Sequence, residues 1–325
     1  MKRTALFLPV LALIFFAACE KEEKAYTLPA PGNAVVEQIN MGSDYSKVIF
    51  YNLNDETFSI EELADWDLAL ESTTDGYRAL INGGTGVQVA PMGDTSFNAL
   101  YDIDNATWKW DPPSFLIDST AIGEWSNNKF ITTREVYLLD RSVNSSFEQY
   151  KKLQLLEVTD TYYLIRTASL DGSNDQVIRI NKDPNVSYVY VHLENGPLAK
   201  YEPRKEEWDF MFTRYRYVYY DMTPIIPYEV NGVVLNAHNV SAAETRMAFD
   251  SITLEEAMKL NFTSRRDFIG FDWKYYDFDK EAYITDIGRV LLIRSHSGIY
   301  FKLRFIDFYD ADGVKGAPTF EFQRL

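Results

Sequence analysis

Trp208-Asp209-Phe210-Met211-Phe212 stands fifteen positions after Leu193 in the run Tyr188-Val189-Tyr190-Val191-His192-Leu193-Glu194. The same arrangement occurs earlier in the chain. Val48-Ile49-Phe50-Tyr51-Asn52-Leu53-Asn54 leads, thirteen positions after Leu53, to Trp66-Asp67-Leu68-Ala69-Leu70. Each copy is a short, nearly continuous apolar run rich in aromatic and β-branched residues, followed by a polar turn and a second run. Such residues are what strand positions prefer.

Working outward, further landmarks recur in the same order. Leu80-Ile81-Asn82-Gly83-Gly84 is matched with Val230-Asn231-Gly232-Val233, and Ile122-Gly123-Glu124-Trp125 with Ile269-Gly270-Phe271-Asp272-Trp273. Val136-Tyr137-Leu138-Leu139-Asp140-Arg141-Ser142 is echoed by Val290-Leu291-Leu292-Ile293-Arg294-Ser295, and Lys152-Leu153-Gln154-Leu155 by Lys302-Leu303-Arg304-Phe305. Ordered landmarks at similar spacing indicate an internal duplication. Its boundary is expected near Lys182 to Pro184, which gives one β domain over 34–183 and a second over 184–325.

The period-two alternation of Ile299, Phe301, Leu303 and Phe305 with Tyr300, Lys302 and Arg304 is that of a half-buried strand. Helix signals are few. Thr253-Leu254-Glu255-Glu256 is a capping box that opens a short helix, and Ser59-Ile60-Glu61-Glu62 resembles one with room for a turn. The expected fold class is all-β, mainly antiparallel sheets with a few short helices, as two similar domains in tandem.

The first residues read as an address. Lys2 and Arg3 precede an apolar stretch from Ala5 to Phe16, about half of what a membrane-spanning helix needs, and small residues Ala17-Ala18 lead to Cys19. The segment resembles a bacterial lipobox, in which the signal (1–18) is cut and Cys19 is acylated. Two or more acyl chains hold a protein stably on a membrane. Glu20-Lys21-Glu22-Glu23-Lys24 resembles the charged tag of some Bacteroidetes surface lipoproteins, and 19–33 reads as a lipidated tether. Cys19 is the only cysteine, so no disulfide framework exists.

The 32 Lys and Arg against 48 Asp and Glu give a net charge of −16, or −18 once Lys2 and Arg3 are lost with the signal. Phosphate-backbone binding relies on clustered cations, so nucleic acid is not an expected partner. No nucleophile elbow, zinc-protease helix or phosphate-binding glycine loop is present, and the expectation is no enzyme and no catalytic residue. Asp307, Asp310, Asp312 and Gly313 form an Asp-rich turn without the distal Glu of a calcium loop, and an Asp-Gly step suits a hairpin. No metal site is expected.

The order of strand, Trp-Asp motif, Asn/Gly segment and final strand pair resembles the HmuY family of Bacteroidetes outer-membrane lipoproteins. The residues that carry this likeness are Gly288 to Arg294, Tyr300 to Tyr309, Pro318 to Phe322 and Trp208 to Tyr215. The resemblance implies haem or porphyrin capture without chemistry on the ligand, and hand-over to a TonB-dependent outer-membrane receptor. It also implies axial ligands between the Asn/Gly segment and the last strands. Where a histidine would be expected, this chain reads Tyr275-Tyr276-Asp277-Phe278-Asp279. Met222, His238 and Met247 are the remaining ligand candidates, with Arg214, Arg216, Arg265 and Arg266 as propionate partners. His192 and His296 read as structural. The alternative is a non-haem interaction or glycan-binding module on the same scaffold, since 15% aromatic residues suit sugar stacking as well as sheet faces.

Overall fold

The computed structural model describes residues 32–127, 129–142, 147–219, 221–224 and 226–325. They belong to one compact unit, Pro31–Leu325. The signal, the lipobox and most of the tether lie outside the described residues.

The strands are β1 (Val35–Gln38), β2 (Lys47–Asn52), β3 (Thr57–Glu62), β4 (Leu68–Glu71), β5 (Ala79–Ile81), β6 (Gln88–Pro91), β7 (Val136–Asp140), β8 (Tyr150–Val158) and β9 (Tyr162–Ser169). They continue with β10 (Gln176–Asn181), β11 (Tyr188–His192), β12 (Gly196–Pro197), β13 (Phe210–Tyr219), β14 (Ile226–Leu235) and β15 (Ser241–Thr245). The last five are β16 (Lys274–Asp277), β17 (Ala282–Thr285), β18 (Val290–Arg294), β19 (Tyr300–Tyr309) and β20 (Lys315–Arg324). One α-helix, α1 (Leu254–Met258), and short 3-10 turns complete the described elements. The all-β reading therefore holds.

Sheet order shows how the two halves combine. Two five-stranded sheets run β1-β20-β19-β18-β15 and β10-β9-β8-β7-β6, and two four-stranded sheets run β14-β13-β2-β3 and β12-β11-β4-β5. In the first four-stranded sheet Tyr51 of β2 pairs with Phe210 of β13; in the second, Val191 of β11 pairs with Leu68 of β4. Strands from the two halves are thus exchanged, and by the same register. The first strand of each half also adds to the edge of a five-stranded sheet, β1 on β20 and β10 on β9. Even the bulges correspond, at Leu155/Glu157 on β8 and Phe305/Asp307 on β19. The boundary expected near Lys182–Pro184 lies between β10 and β11, and strands from its two sides share three of the four larger sheets. By strand equivalence it falls one element earlier, in the turn between β9 and β10.

The exchange produces four stacked sheets with three apolar layers. One core packs Tyr51, Phe210, Phe212 and Val233 against Leu291, Leu303, Phe305 and Phe320. A second packs Leu68, Leu70, Val189 and Val191 against Leu139, Leu153, Tyr163 and Ile165. Between them, Val48, Phe50, Ala69, Tyr190, Met211 and Val234 join the two four-stranded sheets back to back. Alternate residues of β2, β4, β11 and β13 therefore enter different cores. That is why these strands read as unbroken apolar runs rather than alternating ones. Burial of each such side chain is worth roughly 1.5–3 kcal/mol.

Two local expectations change. Ser59-Ile60-Glu61-Glu62 is no helix start: it lies in β3, whose backbone is satisfied by pairing with β2 from Thr57↔Asn52 to Glu62↔Lys47. The partner of Asn82 is Asn236, not Asn231. Ile81 pairs with Leu68 and Leu235 with Phe210, and each following Asn turns its Nδ2 back onto the carbonyl of the motif tryptophan, Trp66 or Trp208. The Thr253 box is as read, its side chain accepting the Glu256 N–H. The Asp-rich turn closes the β19–β20 hairpin, with Asp310 Oδ1 accepting from Asp312 and Val314.

Candidate functional site

The longest ladder, β13–β14, is paired from Phe210↔Leu235 at its base to Tyr219↔Ile226 at its tip. The smaller β16–β17 hairpin lies beside it, tied by Lys274, whose Nζ donates to the Asn231 carbonyl at 2.7 Å. Lys274 is buried against Trp273 and Phe308, and that burial pushes its pKa down to about 7. Outward from this anchor both hairpins carry exposed rings and apolar side chains: Ile226, Tyr228, Tyr275, Tyr276 and, at 85%, Phe278. Tyr276 stands edge-on to Phe278 and Tyr283 at 5.1 and 5.2 Å. The Tyr283 phenol is pushed up by burial and then by the Tyr228 and Tyr309 hydroxyls, so Tyr228 of β14 lies within electrostatic reach of β17. Met222, 46% exposed, is in the β13–β14 turn.

The candidates of the sequence reading are distributed unevenly. His238 follows the base of the hairpin, near Glu206, with its ring nitrogen 3.2 Å from Asn239 Nδ2; burial lowers its pKa. Ten ladder positions of about 3.3 Å each separate that base from the tip, so Met222 and His238 lie on the order of 30 Å apart and cannot share one iron. Met247 is partly exposed beyond β15, in a different sheet, beside the Arg246–Asp286 ion pair. Arg214, Arg216 and Arg266 do come together, around a cavity of about 40 Å³ that Trp66, Tyr190 and Met211 also line. That space suits a few waters and is far too small for a porphyrin. Arg214 donates to the Gly84 and Asp44 carbonyls, Arg216 pairs with Glu229, and Arg266 lies over Phe115 and Tyr188. Arg265 stands apart on Asp267.

The motif aspartates are the buried charges that sequence reading passed over as framework. Asp67 accepts a two-pronged bond from Arg141, Nε to Oδ1 at 2.7 Å and Nη2 to Oδ2 at 3.0 Å, and also the Leu193 N–H at 2.9 Å. Asp209 accepts the Leu53 N–H at 2.8 Å and, on its other oxygen, both the His296 N–H and ring Nδ1 at 2.9 Å. Asp67, His192 and Glu194 have metal-like spacing. Arg141 and Lys151 occupy those carboxylates, however, so the group is an ion-pair network. A signal for the aspartates was present in the recurring Trp-Asp pair; their partners are too distant in sequence to be read.

No family model and no curated protein matches the chain. Among solved structures it is similar to apo PinO from Porphyromonas gingivitis, 10% identical over 90% of this chain and 97% of that one, with a TM-score of 0.35. The apo HmuY analog TFO of Tannerella forsythia is 9% identical over 91% and 98%, also at 0.35. A protein described as a putative HmuY-like heme binding protein from Bacteroides vulgatus is 12% identical over 89% and 90%, with a TM-score of 0.25. The second and third of these are described by the name of the family that the sequence resembles.

Proposed function

We propose that this chain is a surface lipoprotein, anchored through Cys19, that captures haem or a related porphyrin and does no chemistry on it. The observation that carries the reading is the set of exposed side chains Met222, Ile226, Tyr228, Tyr276 and Phe278 on the β13–β14 and β16–β17 hairpins. Solvent-facing apolar rings clustered on a soluble body mark a binding surface. A porphyrin offers a flat apolar face to such rings, and a thioether is a soft axial ligand for its iron. Met222 is the proposed ligand. Lys280, on the β16–β17 turn, is the cation proposed for a propionate. Hand-over to a TonB-dependent outer-membrane receptor belongs to this reading.

A second reading, a glycan-binding surface, is favoured by the three exposed tyrosines Tyr228, Tyr275 and Tyr276, whose rings and hydroxyls suit sugar faces and edges. Haemin titration followed by Soret absorbance separates the two. A saturable red-shifted band at one haem per chain, abolished in Met222→Ala and retained in His238→Ala and Met247→Ala, is the expected result. No shift beyond that seen with an unrelated acidic protein would end the haem reading, and quenching of the tip tyrosines by oligosaccharides would then support the second.

A further inference from the structure

Asp67 and Asp209 occupy equivalent places, each at the point where a strand of one half is inserted beside a strand of the other. Asp67, in the first half, caps Leu193 of the second; Asp209, in the second half, caps Leu53 of the first. Both carboxylates are buried, Asp209 completely. What differs is the counter-ion. Asp67 faces the guanidinium of Arg141, charged at any pH at which a protein is folded, while Asp209 faces the imidazole of His296, 11% exposed.

We propose that the Asp209–His296 pair is a proton-operated latch: it holds the seam around Leu53 shut while the imidazole is charged and slackens when the ring loses its proton, whereas the Asp67–Arg141 seam does not respond. The latch ties together two turns. Leu53 follows β2, and His296 lies in the β18–β19 turn; Asn54 Oδ1 adds bonds from Ser297 and Ser295. Leu53 and Asn54 on one side and Ile299 and Phe301 on the other also line a cleft of about 340 Å³ next to these turns.

The charges that face His296 come from every neighbouring segment. Asp209 acts first, through its hydrogen bond, and raises the ring's pKa; burial opposes it; Asp55 of the β2–β3 turn and Glu206 before β13 add to the rise. His238, after β14, lies within electrostatic reach of the ring and has Lys205 and Glu206 as its own neighbours. With the folded value raised, the stabilisation is complete below the ordinary histidine pKa and is lost as pH climbs through the folded value.

Hydrogen exchange of two amides tests this in the intact chain, with the ring titration of His296 followed by NMR. After correction for the intrinsic pH dependence of exchange, protection of the Leu53 amide should fall about tenfold as His296 deprotonates, because the His296–Asp209 contact that must open with the seam loses its ion-pair character. Leu193 should keep its protection over the same range. His296→Gln should leave Leu53 at the lower protection at every pH, with Leu193 unchanged. Leu53 and Leu193 moving in parallel through the titration would overturn the proposal, as would a His296 ring that titrates at or below the free-histidine value.

Discussion

Lys274 enters the core as a potential cation with one carbonyl partner and aromatic walls. Its folded pKa, about 7, lies below its ordinary value of 10.5 because burial disfavours the charge. The unfolded chain therefore binds more protons between those values, and stability should rise with pH across that window. Lys274→Met should remove this rise. In urea unfolding, the variant should gain on the parent at pH 6 relative to pH 9.5, by on the order of 1–3 kcal/mol. An equal difference at both pH values would contradict the burial argument. Asp67 gives a second test at this scale. Arg141→Met should cost about 3–5 kcal/mol by leaving a buried carboxylate unpaired, and adding Asp67→Asn should recover part of it. Asp67 itself was legible, because it recurs with its tryptophan. Arg141 was not, because it lies 74 positions away and meets Asp67 only when sheets stack.

At the scale of elements, period and capping chemistry served well where a local rule governs. Thr253 caps α1, and Thr253→Ala should cost about 1 kcal/mol by thermal or urea unfolding. Ser59-Ile60-Glu61-Glu62 satisfies the same local rule but is a strand, because β2 offers a partner for its whole length. Tertiary pairing overrides a two-residue cap. The β16–β17 hairpin is the element on which function and stability separate. Phe278 is nearly fully exposed, so Phe278→Ser should change stability by less than about 0.5 kcal/mol while weakening ligand binding at the tip. A large loss of stability would mean that the ring belongs to the fold rather than to the site. That Tyr275 to Asp279 forms the first strand and the start of the turn of an exposed hairpin could not be read from its composition, because its aromatic residues suit a buried strand equally well.

The whole molecule is interleaved. Each lobe takes strands from both halves, so neither half alone can complete a sandwich. Separately produced segments 32–172 and 173–325 should each be unfolded or aggregated, and should assemble one-to-one when refolded together, as seen by size-exclusion chromatography and circular dichroism. Cooperative folding of either segment alone would show that exchange is dispensable. By itself the sequence determined the all-β class, most of the strands and the recurrence of the Trp-Asp pair, because these depend on residue type and on spacing along the chain. Only the tertiary structure decided which strand of which half each strand joins. Both alternatives bury the same apolar runs, and the choice is made by backbone pairing and stacking across more than a hundred residues. That same choice set an arginine against one aspartate and a histidine against the other.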